Sequence, residues 1–230
     1  FYDKIKNTNK INFDGTIYNT KYDLTLSREI NKKNTDIEVK LQNINATIKS
    51  KFSKDKNKKN TYDGKISLNF PGSEINTKYK IIDNLISINS EKSNLKKNNL
   101  NYDGIISTSP FYYNININLE SLNILKFIEN LSKLNHLLDE KILLDKKVNG
   151  TILLNVDSLK GIKIFDKAKV KINFVNGKLI LNDSLLISSK IGKMYFNNSF
   201  IEIVEDRKIL KSKIFFEIES QKKLYQKLQI

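Results

Sequence analysis

The 230-residue chain has no cysteine and no tryptophan. Without thiols there is no disulfide framework and no thiolate nucleophile, and zinc sites built on Cys and His are excluded. His136 is the single histidine. It lies among Leu134, Leu137 and Leu138 and reads as a surface or boundary residue. A hydrolase triad needs a base beside a nucleophile, and one histidine leaves little to build it from. Glycine-rich phosphate or dinucleotide loops are missing. So is the spaced Asp/Asn series of a calcium loop. No pair of carboxylates stands out as glycosidase-like. No apolar run reaches the ~18–20 residues of a membrane helix, and no secretory leader opens the chain. These absences point away from an enzyme, and no cofactor or metal is expected.

Arginine is scarce in a different sense. Arg28 and Arg207 are the only two, although 40 Lys+Arg against 25 Asp+Glu give a net charge of +15. Such a charge raises nucleic acid or an anionic membrane as a partner. Arginine, however, is the residue that grips phosphate bidentately. The lysines are also scattered among Asn and Ile along the whole length, and read as solvated faces. No nucleic-acid partner is expected; a nucleic-acid binder would show affinity falling steeply with salt.

What is abundant is alternation. Ile11, Phe13, Gly15 and Ile17 share one parity, then Tyr22, Leu24 and Leu26, then Ile37, Val39 and Leu41, then Ala46, Ile48 and Phe52, with polar residues between. Period 2 is the mark of half-buried strands. The pattern continues through Tyr62, Gly64, Ile66, Leu68 and Phe70. It turns at Pro71-Gly72 and returns with Ile75, Thr77, Tyr79 and Ile81. Tyr113, Ile115, Ile117 and Leu119 alternate with asparagine. Val175-Asn176-Gly177-Lys178 is a hairpin signal. Lys54 to Asn60 and Ser90 to Asn99 read as polar connectors. Between Ser121 and Asp139 the period changes: Leu122, Ile124, Leu125, Phe127, Ile128, Leu131 and Leu134 recur at threes and fours. An amphipathic helix of roughly 28 Å, with Ser121 as N-cap, is expected there. A short helix with Leu224, Tyr225 and Leu228 is expected at the C-terminal end.

A motif recurs within this pattern. Phe13-Asp14-Gly15, Tyr62-Asp63-Gly64 and Tyr102-Asp103-Gly104, with a weaker echo at Asn149-Gly150, follow one another at intervals of about 40–50 residues. Each precedes an alternating run. Asp-Gly and Asn-Gly supply the positive φ of tight turns, so each copy reads as strand, turn or bulge, strand, with Asp14, Asp63 and Asp103 as turn residues.

The C-terminal half adds a resemblance. Leu119-Glu120-Ser121-Leu122-Asn123-Ile124-Leu125 leads into the helix. Asn149-Gly150-Thr151-Ile152-Leu153-Leu154-Asn155-Val156-Asp157-Ser158-Leu159, then Val170 to Leu181 around Asn176-Gly177-Lys178-Leu179, then Ser189 to Met194, are similar to the strand and hairpin patterns of the AsmA-like family. The likeness covers roughly residues 100–230. It implies a β-rich, non-catalytic protein of the Gram-negative envelope, anchored in the inner membrane and projecting into the periplasm. Such proteins carry phospholipids toward the outer membrane along a hydrophobic groove. The missing N-terminal membrane helix fits a piece of a longer protein, anchored by a segment outside this chain.

The expected fold is therefore mainly β: a long, curved antiparallel sheet of repeated strands forming an open hydrophobic groove. A β-repeat segment at 1–118 is expected to be followed by a helix and an AsmA-like β module at 119–230, in one continuous sheet. The expected function is intermembrane phospholipid transport or outer-membrane biogenesis. Acyl chains would be lined by Phe13, Ile17, Leu24, Leu26, Ile66, Leu68, Phe70, Ile115, Ile117, Phe174 and Leu179. The alternative is a ligand-free structural or adhesive β domain whose apolar face is closed by its own chain.

Overall fold

Alternating Ile/Leu/Tyr and Lys/Asn sequence can satisfy its backbone only by pairing with neighbours, and the strands do so. The structure, a computed structural model, describes residues 2–3, 8–17, 20–29, 34–55, 58, 60–126, 144–205 and 207–228. Two compact units are present, Phe1–Thr108 and Ser109–Ile230.

The first unit is a meander. Its strands are β1 (Tyr2–Asp3), β2 (Thr8–Ile17), β3 (Thr20–Glu29), β4 (Asn34–Leu41), β5 (Ala46–Lys54), β6 (Thr61–Phe70), β7 (Ser73–Ile82), β8 (Leu85–Ser90), β9 (Ser93–Leu95) and β10 (Asn98–Thr108). Each of β1 to β7 pairs antiparallel with the next. β8 lies between β7 and β10, and β9 extends the same position.

The turns use the residues their geometry demands. Pro71-Gly72 closes β6 on β7, with Phe70 opposite Ser73 and Gly72 at φ +74°, the proline–glycine combination of a type II turn. The stretch expected as a polar connector, Ser90 to Asn99, instead holds β9 and the start of β10, joined through Lys96 and Lys97 at φ 49° and 69°. No Gly or Asn announces that turn. Cross-strand pairing imposes it.

The Asp-Gly expectation is corrected more sharply. Asp14-Gly15, Asp63-Gly64 and Asp103-Gly104 all lie inside strands, and Gly150 opens one. None of these glycines is among the residues with positive φ. Their role is lateral. Gly15 pairs with Tyr22 and Gly64 with Tyr79. A Cβ on Gly64 would stand 2.4 Å from Tyr79 Cζ and 2.8 Å from the Lys51 carbonyl oxygen. The tyrosine ring covers the bare backbone of its neighbour, which is how sheets compensate a glycine.

The second unit contains β11 (Phe111–Leu119), β12 (Leu122–Asn123), β13 (Gly150–Val156), β14 (Leu159–Lys160), β15 (Lys167–Val175), β16 (Lys178–Ile180), β17 (Ser184–Ser188), β18 (Gly192–Val204), β19 (Arg207–Ile218) and the helix α1 (Gln221–Leu228). β13 pairs antiparallel with β15, both β16 and β17 bridge β15 to β18, and β18 pairs with β19. The Asn176-Gly177 hairpin forms as expected, with Val175 opposite Lys178. One pairing departs from an all-antiparallel sheet: β11 and β13 run parallel, as do the two-residue strands β12 and β14. The chain between β11 and β13 has the length a parallel crossover requires. Residues 124–126 in it are helical. The Lys126 amide donates to Asn123 Oδ1 at 3.1 Å, so Asn123 caps this helix in place of Ser121, which is buried. The rest of the expected helix, His136 included, lies outside the described residues.

The two units bury their apolar residues differently. Among the described residues of the first, Ala46 and Leu100 are the only buried hydrophobic side chains. The second buries Leu119, Leu144, Val156, Leu159, Ala168, Phe174 and Ile191. Leu119, Val156 and Ala168 sit in one row across β11, β13 and β15.

Candidate functional site

Strand register decides which side chains share a face. In the first unit one row runs Phe13, Leu24, Val39, Ile48, Leu68, Ile75 from β2 to β7. The next runs Ile11, Leu26, Ile37, Ser50, Ile66, Thr77. Two further rows hold Phe52, Gly64, Tyr79 and Ile88, and Tyr62, Ile81, Ile86 and Ile106. All four lie on the same side of the sheet, because a period of 2 keeps every alternate residue on one face.

The opposite side reads Asn12, Thr25, Glu38, Lys49, Ser67, Asn76 and Lys10, Ser27, Asp36, Lys51, Lys65, Lys78. Ile82, Leu85 and Ile105 are its apolar exceptions, and all three are exposed.

The sequence-derived lining residues fall into two groups. Phe13, Leu24, Leu26, Ile66, Leu68 and Phe70 share the apolar face of the first unit, and Ile17 closes β2 at the same parity. Ile115, Ile117, Phe174 and Leu179 share a face of the second, where Phe174 pairs with Leu179 and Ile115 with Ile152. Most of the first group are neither buried nor open; Phe13, at 56% exposure, is the most exposed. Phe174 is buried, with its ring 5.9 Å from that of Tyr113. Tyr113 in turn lies over Gly150, and burial pushes its hydroxyl pKa up to about 12.

The tyrosines are the feature that residue-by-residue reading misses. Tyr79 Oη lies 3.3 Å from Ser50 Oγ. Tyr102 Oη pairs with Thr77 Oγ1 and donates to the Asn76 carbonyl at 3.2 Å. Ser90 Oγ accepts from the Tyr102 amide. The Tyr79 and Tyr102 hydroxyls thus sit on a largely hydrocarbon face, each with a hydrogen-bond partner. The signal was present: Gly64 and Tyr79 stand at mirror positions about Pro71-Gly72.

The polar face carries ion pairs. Glu91 Oε1 and Oε2 meet Lys78 Nζ at 2.6 Å and Lys65 Nζ at 2.9 Å. The hydrogen bond from Lys78, then that from Lys65, holds its carboxyl below the ordinary carboxylate range. Lys49 reaches Glu38 at 3.8 Å and Lys51 reaches Asp36 at 3.9 Å. A cavity of about 620 Å³ lies over these residues, between Thr25, Asp36, Glu38, Lys49, Lys65 and Glu91. It is on the polar side of the sheet, with four lysines and three carboxylates in its wall.

Among the described residues no group of three His, Cys, Asp or Glu could hold a metal ion, and no helix is long and apolar enough to cross a membrane. No family model, no curated protein and no solved structure matches the chain.

Proposed function

We propose that this chain is a non-enzymatic, lipid-handling segment of an envelope protein of the AsmA-like kind, with phospholipid acyl chains resting on the apolar face of the first unit. One observation carries the reading. Among its described residues, the sheet of the first unit puts its Ile, Leu, Phe and Tyr on one side, apart from Ile82, Leu85 and Ile105, and fully buries almost none of them. Full burial of a Leu or Ile is worth about 1.5–3 kcal/mol, so each half-exposed side chain leaves part of that unrealised. An acyl chain supplies the missing hydrocarbon without asking for hydrogen bonds. Ten-residue strands such as β6 and β7 span roughly 33 Å at about 3.3 Å per residue, room for an extended chain. Phe13, Ile17, Leu24, Leu26, Ile66, Leu68 and Phe70 are the contacts of this reading, the face forming the groove. Head groups remain in water near the lysines. On the same reading the parent protein stands in the periplasm, held to the inner membrane by a segment outside this chain, and serves outer-membrane biogenesis.

The ligand-free alternative draws on the second unit, where Leu119, Val156, Ala168 and Phe174 are buried by protein. Photocrosslinking separates the two. A photoreactive amino acid at Leu24 or Leu68 is expected to capture phospholipid during expression, and one at Lys49 or Ser67 is expected to capture none. Equal capture from both faces, or none from either in a lipid-free preparation, sinks the proposal.

A further inference from the structure

A second surface stands out at the end of the second unit. The turn between β17 and β18 brings Lys190 and Ile191 against α1. The Glu219 and Ser220 amides both donate to the Ile191 carbonyl, at 2.7 and 3.2 Å, so turn and helix are tied backbone to backbone. Between them is a cavity of about 350 Å³ walled by Lys190, Ile191, Lys223, Gln226 and Lys227. Three lysines converge there, and no carboxylate lines it. Among the described residues none of the three takes part in an ion pair. Of the nearby acids, Glu217 accepts from Tyr195 Oη at 2.7 Å, and Glu219 forms no ion pair with any of the three lysines. This contrasts with the polar face of the first unit, where carboxylates answer the lysines.

The helix itself has no buried residue. Tyr225 and Leu228 are exposed hydrophobics on it, at 52% and 45%. Lys223 and Lys227 are four residues apart and share a face. Exposed apolar side chains beside a cluster of cations are the composition of a helix that lies in a bilayer interface, apolar groups in the acyl boundary and lysines among anionic head groups.

We infer that Lys190, Lys223 and Lys227, with Tyr225 and Leu228, form a docking surface for an anionic phospholipid bilayer. Charge complementarity selects the occupant: a cleft of three unanswered ammonium groups fits the phosphates of a membrane surface. The inference does not use the apolar face of the first unit, so the absence of co-purified lipid there leaves it standing.

The test is sedimentation of the full chain with phosphatidylcholine vesicles, with and without phosphatidylglycerol. Binding is expected only when phosphatidylglycerol is present. Lys190→Gln/Lys223→Gln/Lys227→Gln is expected to weaken it on the order of 100-fold, at the strength of a lysine near an anionic surface. Lys10→Gln/Lys21→Gln/Lys40→Gln removes the same charge from exposed positions of the first unit and is expected to retain binding. Equal loss in both triple variants would mean general attraction to a chain of net charge +15 and would overturn the site. A fold-independent readout accompanies it. The chain has no tryptophan, so Tyr225→Trp introduces a single indole on the helix, which can be excited selectively at wavelengths where tyrosine does not absorb. A blue shift on adding phosphatidylglycerol vesicles, absent with phosphatidylcholine alone, supports the docking surface; an unchanged spectrum refutes it.

Discussion

Gly64 shows how a single side chain, or its absence, sets a contact two strands wide. Tyr79 and the Lys51 carbonyl both occupy the space a Cβ would need. A ring can rotate away; a paired backbone cannot. Gly64→Ala is therefore expected to destabilise by about 1–3 kcal/mol, the usual range for overpacking. Gly15→Ala, whose three nearest atoms all belong to the Tyr22 side chain at 2.8–3.0 Å, is expected to cost less. Urea titration of the two variants checks the order. Tyr113 makes a second residue-scale prediction. Its pKa is raised to about 12 by burial, against about 10 for a free tyrosine, so the fold favours the neutral phenol. The stabilisation is complete below pH 10 and is lost as pH climbs from 10 through 12. Phenolate absorbance is expected to show a last step near pH 12 that Tyr113→Phe removes. If Tyr113→Phe leaves the absorbance change near pH 12 untouched, the burial argument fails.

At the scale of elements, turns divide into those legible in the sequence and those imposed by pairing. Pro71-Gly72 and Asn176-Gly177 were legible because their residues favour the required φ whatever surrounds them. Lys96-Lys97 was not, since lysine has no such preference and the left-handed region costs an L-residue roughly 1–2 kcal/mol. Here the β7, β9 and β10 pairings hold it in place. Lys96→Asn/Lys97→Gly is expected to stabilise the first unit by about 1 kcal/mol, seen as a higher urea midpoint at unchanged slope. A neutral or negative result would place the strain elsewhere. The Asp-Gly copies failed as turns for the converse reason. A dipeptide statistic reports local backbone freedom, whereas at Gly15 and Gly64 the demand for glycine came sideways, from a tyrosine on the adjacent strand. The parallel β11–β13 pairing was hidden similarly, because alternation says nothing of strand direction.

At the scale of a whole unit, the division of the first into an apolar and a polar face was the most legible property. Parity survives any error in strand ends or partners, and Leu24, Leu26, Ile66 and Leu68 share a face as their spacing implied. What covers that face is not written in spacing, because the cover need not belong to the chain. If it is lipid, a ligand bound only by the folded state raises stability with its concentration. Titrating a short-chain phospholipid below its micellar limit is expected to raise the Tm progressively, and Leu24→Asp/Leu68→Asp is expected to abolish the rise. A flat wild-type response argues for a face closed by protein. The two-sided division also constrains how such a chain can change over generations. Within a strand, gain or loss of one residue acts like a frameshift: every side chain beyond it, up to the next turn, changes sides at once. Two residues, or a whole hairpin, leave the pattern readable. Lengthening by duplicated hairpins is the route that never passes through an inverted sheet, and glycines recurring about every 40–50 residues are the kind of trace such growth leaves behind.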